Sequence, residues 1–486
     1  MSQRTRREFL ENSMFAAAAA AATTAVPLPS AVAAARSKSP NDRLRVAVLG
    51  VHGRGRTHLA EFGKREDCEI VAIVDPDEAV GNRNGVEPVY KKTGKKPAFY
   101  RDMRKAFEDN SIDIVSIATP NHWHSLAAIW AMQAGKDVYV EKPVSHNVSE
   151  GRRAVQAARK YKKICAAGTQ SRSMSGTQAL MKFLHSGGVG EVKLARGLCY
   201  KPRGSIGPRG IYDPPASVDY SLWLGPAQYV PLTRPRFHYD WHWQWTAGNG
   251  DLGNQGIHQM DLARWGLGEQ DLGRGVQSYG GRLGYVDAGD VANTQVCIHD
   301  YGKKKLVFEV RGLKTKPYVG AKIGVIFYGS DGYVVMPRYN GGTAFDKDGK
   351  VIKTFSGGRT SDHFNNFIEA VRSRDHEHLN ADILEGHISS ALCHLGNISY
   401  RLGSLTSAKG TEDHLKGTEA HATFERVARH LVDNGVDLKT VRLHLGPNLS
   451  VDGKKEIFTG PLAEKAGKML TRNYRKPFVV PTEAKL

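Results

Sequence analysis

Residues 112–143 leave the chain few folds to choose from. An apolar run at 112–118 ends in Thr119-Pro120-Asn121-His122-Trp123-His124. Apolar residues then recur at helical spacing over 125–134, up to a helix stop at Gly135. A second apolar run, 138–140, delivers Glu141, Lys142 and Pro143. Strand, loop, helix, strand is the repeating unit of a parallel sheet. Both polar clusters fall just past the carboxyl ends of strands, the edge where open α/β sheets hold ligands. That makes Thr119, Asn121, His122 and Glu141 candidate ligand contacts. Lys142, with proline stiffening the turn after it, is a candidate catalytic group; the competing reading is a solvated loop lysine.

Upstream, residues 44–49 read as a buried strand running into Gly50-Val51-His52-Gly53-Arg54-Gly55, and 57–62 look helical. Such a turn needs Gly50 for tightness and Gly55 for close helix packing. Backbone N–H groups at the helix start, across Gly53 and Arg54, then face a pyrophosphate. His52 stands where a middle glycine is usual, so the close approach shifts to Gly53. A second strand, 69–74, ends in Asp75, about 20 residues past Gly55, the spacing of a carboxylate that holds ribose hydroxyls. A carboxylate there repels a 2′-phosphate, which favours NAD and leaves NADP open; Asp77 is a weaker competitor. Residues 80–97 are rich in glycine and lysine and read as an exposed loop. Residues 101–110 and 151–162 read as helices. The strand 164–167, ending in Gly168-Thr169-Gln170, closes a nucleotide domain over 44–168. Gln170 and Arg172 then share the strand-end edge with Lys142, Gln170 toward the nucleotide and Arg172 toward a substrate.

The chain has 486 residues, enough for two domains and a large core. Residues 4–10 contain Arg6-Arg7-Glu8-Phe9-Leu10, an alanine-rich run follows to about Val26, and a small-residue cleavage site lies at 31–33 or 33–35. This is the pattern of a twin-arginine export signal over 1–35, and it predicts an exported, periplasmic protein. Such a protein has to carry its cofactor with it, so tightly held nucleotide is expected. No other stretch is apolar for long enough to predict a membrane span. The five cysteines show no CxxC spacing, so neither a disulfide framework nor a zinc ribbon is supported. The net charge of +19 is spread along the chain rather than interleaved with aromatics on one face, which argues against nucleic acid as a partner.

In the second half, residues 237–245 alternate aromatic and polar, the period of an extended strand. Most of these rings are expected in the core, with Trp241 and His242 the candidates to meet a sugar's apolar face and its hydroxyls. His238, Asp240 and His242 are too sparse to support a metal site. In Asn254-Gln255-Gly256-Ile257-His258-Gln259-Met260-Asp261, positions 254, 258 and 261 share one face if the segment is helical throughout. Strands are expected at 277–283, 294–299, 305–310, 322–328 and 333–336, the pattern of an antiparallel sheet covered on one face. Helices are expected at 363–372 and 381–402. Residues 411–486 show one amphipathic segment, 419–432, and a loop-rich end without recognisable chemistry.

With GVHGRG, the Asp75 strand end, ATPNHWH, AGKDVYVEKP and GNQGIHQMDLARW in this order, the chain resembles the glucose-fructose oxidoreductase / inositol dehydrogenase / rhizopine-catabolism family (Gfo/Idh/MocA) over about residues 44–400. The resemblance implies an α/β fold: an amino-terminal Rossmann dinucleotide-binding domain, then a carboxyl-terminal α/β domain (169–410) on a large, mostly antiparallel sheet, with 411–486 an extension. It implies hydride transfer between NAD(P) and a sugar, polyol or cyclitol, and a homo-oligomer. It also implies that His258 is the proton acceptor beside Lys142. Asn254 stands where the family usually has aspartate, so His258 is expected to be a weaker base or to be assisted by Asp261, which is also a candidate substrate contact. Two alternatives stay open: an NAD-dependent glycosidase or lyase working by transient oxidation, and a non-catalytic sugar-binding protein on a retained Rossmann scaffold.

Overall fold

The computed structural model describes residues 42–418 and 420–486; the export signal expected at 1–35 lies outside them. Six short strands form a parallel sheet: β1 (Leu44–Leu49), β2 (Cys68–Val74), β3 (Ala98–Tyr100), β4 (Ile114–Ile117), β5 (Asp137–Val140) and β6 (Cys165–Ala167). Their order is β3-β2-β1-β4-β5-β6, the doubly wound arrangement of a Rossmann domain. Strands β4 and β5 are buried along their whole length because helices cover both faces of the sheet. Helix α1 (Gly55–Gly63) leaves the β1 turn, α2 (Asn121–Gln133) follows β4, and α3 (Val148–Lys160) follows β5. Helix α2 is buried nearly all round, and Gly135 takes a φ of 81° just beyond its end, the stop its sequence predicts.

The remaining strands make a mostly antiparallel sheet of twelve: β7 (Val192–Cys199), β8 (Gly275–Gly281), β9 (Thr294–Asp300), β10 (Lys305–Arg311), β11 (Ile323–Gly329), β12 (Gly332–Arg338), β13 (Gly341–Asp346), β14 (Val351–Ser356), β15 (Ser404–Ser407), β16 (Arg442–Leu445), β17 (Leu449–Asp452) and β18 (Ile457–Thr459). The order β14-β13-β12-β11-β7-β10-β9-β8-β16-β15 puts β7 near its centre, parallel to β10 and antiparallel to β11. Helices α4 (Gly256–Leu267) and α5 (Ile383–Leu402) pack on one face through Met260, Ala263, Phe308 and Leu392. Helix α6 (Ala420–Asp433) covers part of the other through Phe424, Val427 and Leu431 against Tyr279 and Val296.

Three sequence expectations change. Residues 80–97 are not an exposed loop. Asp77 accepts the Val80 N–H at 3.2 Å and starts a run of helical turns from Glu78 to Thr93, which buries Val80, Val86 and Val89. Gly81 and Gly85 are there for packing: a Cβ would meet the Phe99 ring at 2.2 Å and Ile73 at 2.6 Å. Residues 237–245 are not a strand but a loop around the short 3₁₀ turn Asp240–Trp243, and their rings go to different places. Phe237 packs on Trp223, Trp243 joins Ile206 and Ala288, and Tyr239 stays exposed. The segment after 411 carries more than one helix, because β16 and β17 both pair with β8 and so complete the sheet.

Candidate active site

The parallel sheet's carboxyl edge and the segment between β7 and α4 enclose one large cavity. It is lined by the β1 turn, Asp75, Thr119, Asn121, Glu141, Lys142, Trp241, His242 and Asn254. Its floor is built as the glycine motif requires. Gly50 has a φ of 79°, and a side chain there would meet the Ala118 carbonyl at 2.8 Å. A Cβ on Gly55 would lie 1.9 Å from the Gly50 oxygen, whereas one on Gly53 would meet nothing within 4 Å. Gly53 therefore leaves its space to the cavity. Asp75 accepts the Val51 and Asp77 N–H groups at 2.9 and 3.0 Å, and burial pushes its carboxyl up to about 7. Asp77 is no competitor for that role, since Ser217 and His238 donate to it, both at 2.8 Å. His52 stacks on His238 with 4.0 Å between ring centroids, closing the floor against the segment above.

Glu141 is an anchor for its neighbours. It accepts from Arg54 Nε at 2.7 Å, from His58 at 3.2 Å and from the Lys142 N–H at 3.2 Å. Burial works against its charge, yet Arg54 and His58 hold its carboxyl well below the usual range. With its amide oriented to satisfy both ends, Gln170 accepts from Arg54 Nη2 at 2.8 Å and donates to the Gly168 carbonyl at 2.7 Å. Glu141 and Gln170 thus both fix Arg54, whose side chain lines the cavity. Asn121 donates to the Asn249 side chain at 3.2 Å, and the Thr119 hydroxyl is buried with no hydrogen-bond partner among the described residues. His122 turns away from the cavity and donates to the Trp223 carbonyl at 2.9 Å, contrary to its reading as a nucleotide contact. His124, which the sequence reading passed over, spans the Pro143 and Thr119 carbonyls at 2.6 and 2.7 Å and ties the two strand ends together.

Lys142 Nζ donates to the Asn254 carbonyl at 2.9 Å, so the two domains meet at the ammonium. Burial lowers its pKa, opposed by Glu141 and Asp251 and aided by Arg54 and Lys201. His258, in the first turn of α4 and outside the set of residues that line the cavity, lies beside the Tyr339 ring at 5.0 Å. Burial, then the charge of Lys142, keeps its imidazole neutral. Asn254 is not on that helix: it ends the short Gly250–Gly253 turn before α4 begins, so helical spacing does not relate it to His258. The carboxylate near Asn254 is Asp251, clamped bidentately by Arg203 at 2.7 Å for both bonds.

Asp261 cannot assist His258, nor can Arg172 serve a substrate. They form a buried pair with each other at 2.8–3.0 Å, and Ser389 donates to Asp261 at 2.7 Å. Arg172 also lies over Trp265. A desolvated pair of this kind holds α4 to the β6 end and is unavailable to a ligand. Trp241 and His242 do line the cavity, stacked on each other at 3.6 Å.

Residues 200–248 form the roof, tied down from both sides. The Glu78 N–H donates to Ser217 at 3.0 Å and the Asp219 N–H to Pro76 at 2.8 Å. From the carboxyl terminus, Arg475 donates to the Gly225 and Ser221 carbonyls at 3.1 and 2.6 Å, while Phe478 packs on Trp123. No sequence motif marks this strap.

Residues 44–169 match the family model described as an oxidoreductase family with NAD-binding Rossmann fold, and residues 209–276 match the family's C-terminal alpha/beta domain. Among curated proteins, a glycosyl hydrolase family 109 protein of Shewanella baltica is 37% identical over 128 residues, 26% of this chain and 28% of that protein. An alpha-N-acetylgalactosaminidase of Shewanella oneidensis is 36% identical over 126 residues, 25% of this chain and 27% of that one. The chain thus matches little more than a quarter of these relatives' length. Among solved structures, the WlbA dehydrogenase of Bordetella pertussis, in complex with NADH and UDP-GlcNAcA, superposes with a TM-score of 0.55 at 19% identity, covering 74% of this chain and 97% of that one. Its counterpart from Chromobacterium violaceum gives 0.56 at 18% identity, covering 78% and 97%. The cavity floor is an NAD-binding Rossmann domain, and the empty space at Gly53, the Asp75 carboxylate and the unpartnered Thr119 hydroxyl fit that dinucleotide.

Proposed function

Since this chain belongs to the Gfo/Idh/MocA oxidoreductase family, we propose that it oxidises or reduces a carbinol carbon of a sugar, polyol or cyclitol with NAD held in the roofed cavity. The observation that carries the reading is the placement of Lys142. A desolvated ammonium lines the cavity and, among the described residues, hydrogen-bonds through Nζ to a backbone carbonyl that a substrate oxygen can replace. NAD, when bound, supplies the hydride acceptor or donor. Lys142 hydrogen-bonds the reacting oxygen and stabilises its developing negative charge. His258, kept neutral by burial, takes the hydroxyl proton; a positioned base contributes about 10²–10⁴ in rate. The roof excludes water and slows nucleotide exchange, in keeping with an exported enzyme that carries its cofactor. Export through the twin-arginine signal and assembly into a homo-oligomer complete the proposal.

A second reading, redox-neutral cleavage of a glycoside by transient oxidation, is favoured by the family 109 glycosidases among the relatives that match about a quarter of this chain. Incubating the protein with sugars, cyclitols and aryl glycosides separates the two. Reduced nucleotide formed in step with product supports net oxidation. Glycoside cleavage with catalytic nucleotide supports the second reading. Purified protein that neither contains nor binds NAD refutes both.

A further inference from the structure

Resting on the reading of this cavity as a carbohydrate site beside NAD, we infer that His242 is a second acid–base residue, with Nε2 the atom that accepts and returns a substrate proton. Its ring is fixed from three sides. Nδ1–H donates to the Tyr239 carbonyl, which sets the tautomer and leaves Nε2 a bare acceptor. Trp241 stacks on one ring face at 3.6 Å and 19°. Tyr239 holds its backbone at a φ of 66°, a conformation costly for a side-chain-bearing residue, and packs its ring 4.7 Å from His242. The turn that carries them is anchored in turn, by Arg236 on Asp240 at 2.7 Å and Arg234 on Gln244 at 2.7 Å. Nε2 has no hydrogen-bond partner among the described residues, and His242 lines the cavity together with Lys142. A histidine that only filled space would not need its tautomer fixed at the wall of a cavity.

Burial, with the charges of Lys142 and Arg203, holds this imidazole at about 3, so at neutral pH it is in the proton-accepting form. The same Lys142 charge opposes proton uptake until Lys142 gives its own proton to a substrate oxygen. Proton transfer from Lys142 and to His242 is therefore coupled, with no net change in cavity charge.

One carbinol oxidation needs one base, and His258 fills that role. A second base acts on the carbon next to the carbonyl that NAD-dependent oxidation produces. There the C–H bond breaks, its electron pair moves onto the carbonyl oxygen, which takes the Lys142 proton, and the C–H proton rests on His242 Nε2. The enol formed can take the Nε2 proton back on carbon while its hydroxyl proton returns to Lys142. Alternatively the C–O bond at the next carbon breaks, the departing oxygen leaves as an alcohol with the Nε2 proton, the enol hydroxyl proton returns to Lys142, and an α,β-unsaturated ketone remains. His242 thus adds carbon-acid chemistry to hydride transfer and points to substrates with a leaving oxygen two carbons from the oxidised one.

The test is run in heavy water on the NAD-loaded protein with p-nitrophenyl α-N-acetylgalactosaminide, methyl hexosides and myo-inositol. In the wild type, recovered sugar gains deuterium on the carbon beside the one transiently oxidised. In His242→Gln this exchange falls at least about 100-fold relative to nicotinamide reduction, while His258→Gln lowers both together. Exchange that keeps pace with reduction in His242→Gln overturns the inference but leaves the hydride-transfer reading standing. A wild type that reduces no nicotinamide with any of these sugars overturns that reading and the inference with it. A readout independent of turnover is nitrogen NMR of the imidazoles at neutral pH, assigned with His242→Gln. A protonated Nδ1 and bare Nε2 support the inference, and the opposite tautomer overturns it.

Discussion

Gly53→Ala probes the space that the β1 turn leaves open. A Cβ there meets no heavy atom within 4 Å, and the residue is not among those with positive φ. The methyl therefore touches none of the described residues, and stability should hold or rise by about 0.4–1 kcal/mol through the unfolded chain. In the complex the same methyl stands where the pyrophosphate approaches the backbone. A phosphate oxygen has to withdraw by about 1 Å, which spoils one charge-assisted hydrogen bond worth about 1.5–3 kcal/mol. NADH affinity should fall about 10- to 100-fold. Gly55→Ala is the internal control. Its Cβ would sit 1.9 Å from the Gly50 oxygen, a backbone atom that cannot rotate away. Overpacking of about 1–3 kcal/mol outweighs a gain in helix propensity of about 1 kcal/mol, so this variant melts a few degrees lower and also binds worse. NADH fluorescence titration and scanning calorimetry on both variants read the two effects separately. Wild-type NADH affinity in Gly53→Ala would refute the placement of the dinucleotide at this turn.

Three other perturbations have defined outcomes. Burial lifts Asp75 to about 7, so the folded, nucleotide-free protein retains a proton that the unfolded chain releases above about pH 4; stability falls as pH rises through that window, by up to about 4 kcal/mol. Denaturation at about pH 5 and about pH 8 should show a flatter profile for Asp75→Asn, and equal slopes would contradict the assignment. Glu309 is buried among Arg196, Arg311 and Arg426, whose charges overcome burial and hold it at about 2. Glu309→Gln should lose about 3–5 kcal/mol in denaturant titrations at neutral pH, and the wild-type contribution, complete above the ordinary carboxylate pKa, should fade as pH falls toward 2. Arg475→Ala removes the strap's bonds to the roof and should speed NADH release about 10-fold in stopped-flow displacement, where unchanged release would exclude the strap from cofactor retention.

The sequence carried the Rossmann half because its signals are local: a buried strand, a glycine turn and a strand-end acid lie within one unit and depend little on what packs above. Lys142 was legible for the same reason, since a strand end fixes where the next residue goes. The roof was not. Alternating rings at 237–245 imitate a strand, but each finds a different pocket, so the period reports separate packing partners. Arg172 and Asp261 looked like substrate ligands because each sits near the right edge, yet their charges satisfy each other across 89 residues of chain, a pairing no local pattern reveals. Strand β7 escaped notice because Arg196 interrupts its apolar run, and that arginine is satisfied by residues distant in sequence, Glu309 on a neighbouring strand and Thr423. Gly81 and Gly85 suggested a loop where they instead allow Phe99 and Ile73 to approach a helical run.

Lys142→Ala tests the centre of the account. Rapid mixing of NAD-loaded protein with the carbohydrate panel should give the absorbance of reduced nicotinamide in the wild type. In Lys142→Ala that signal should form at least about 100-fold more slowly, with nucleotide still bound. Undiminished reduction in Lys142→Ala would mean that the ammonium in the cavity has no part in hydride transfer.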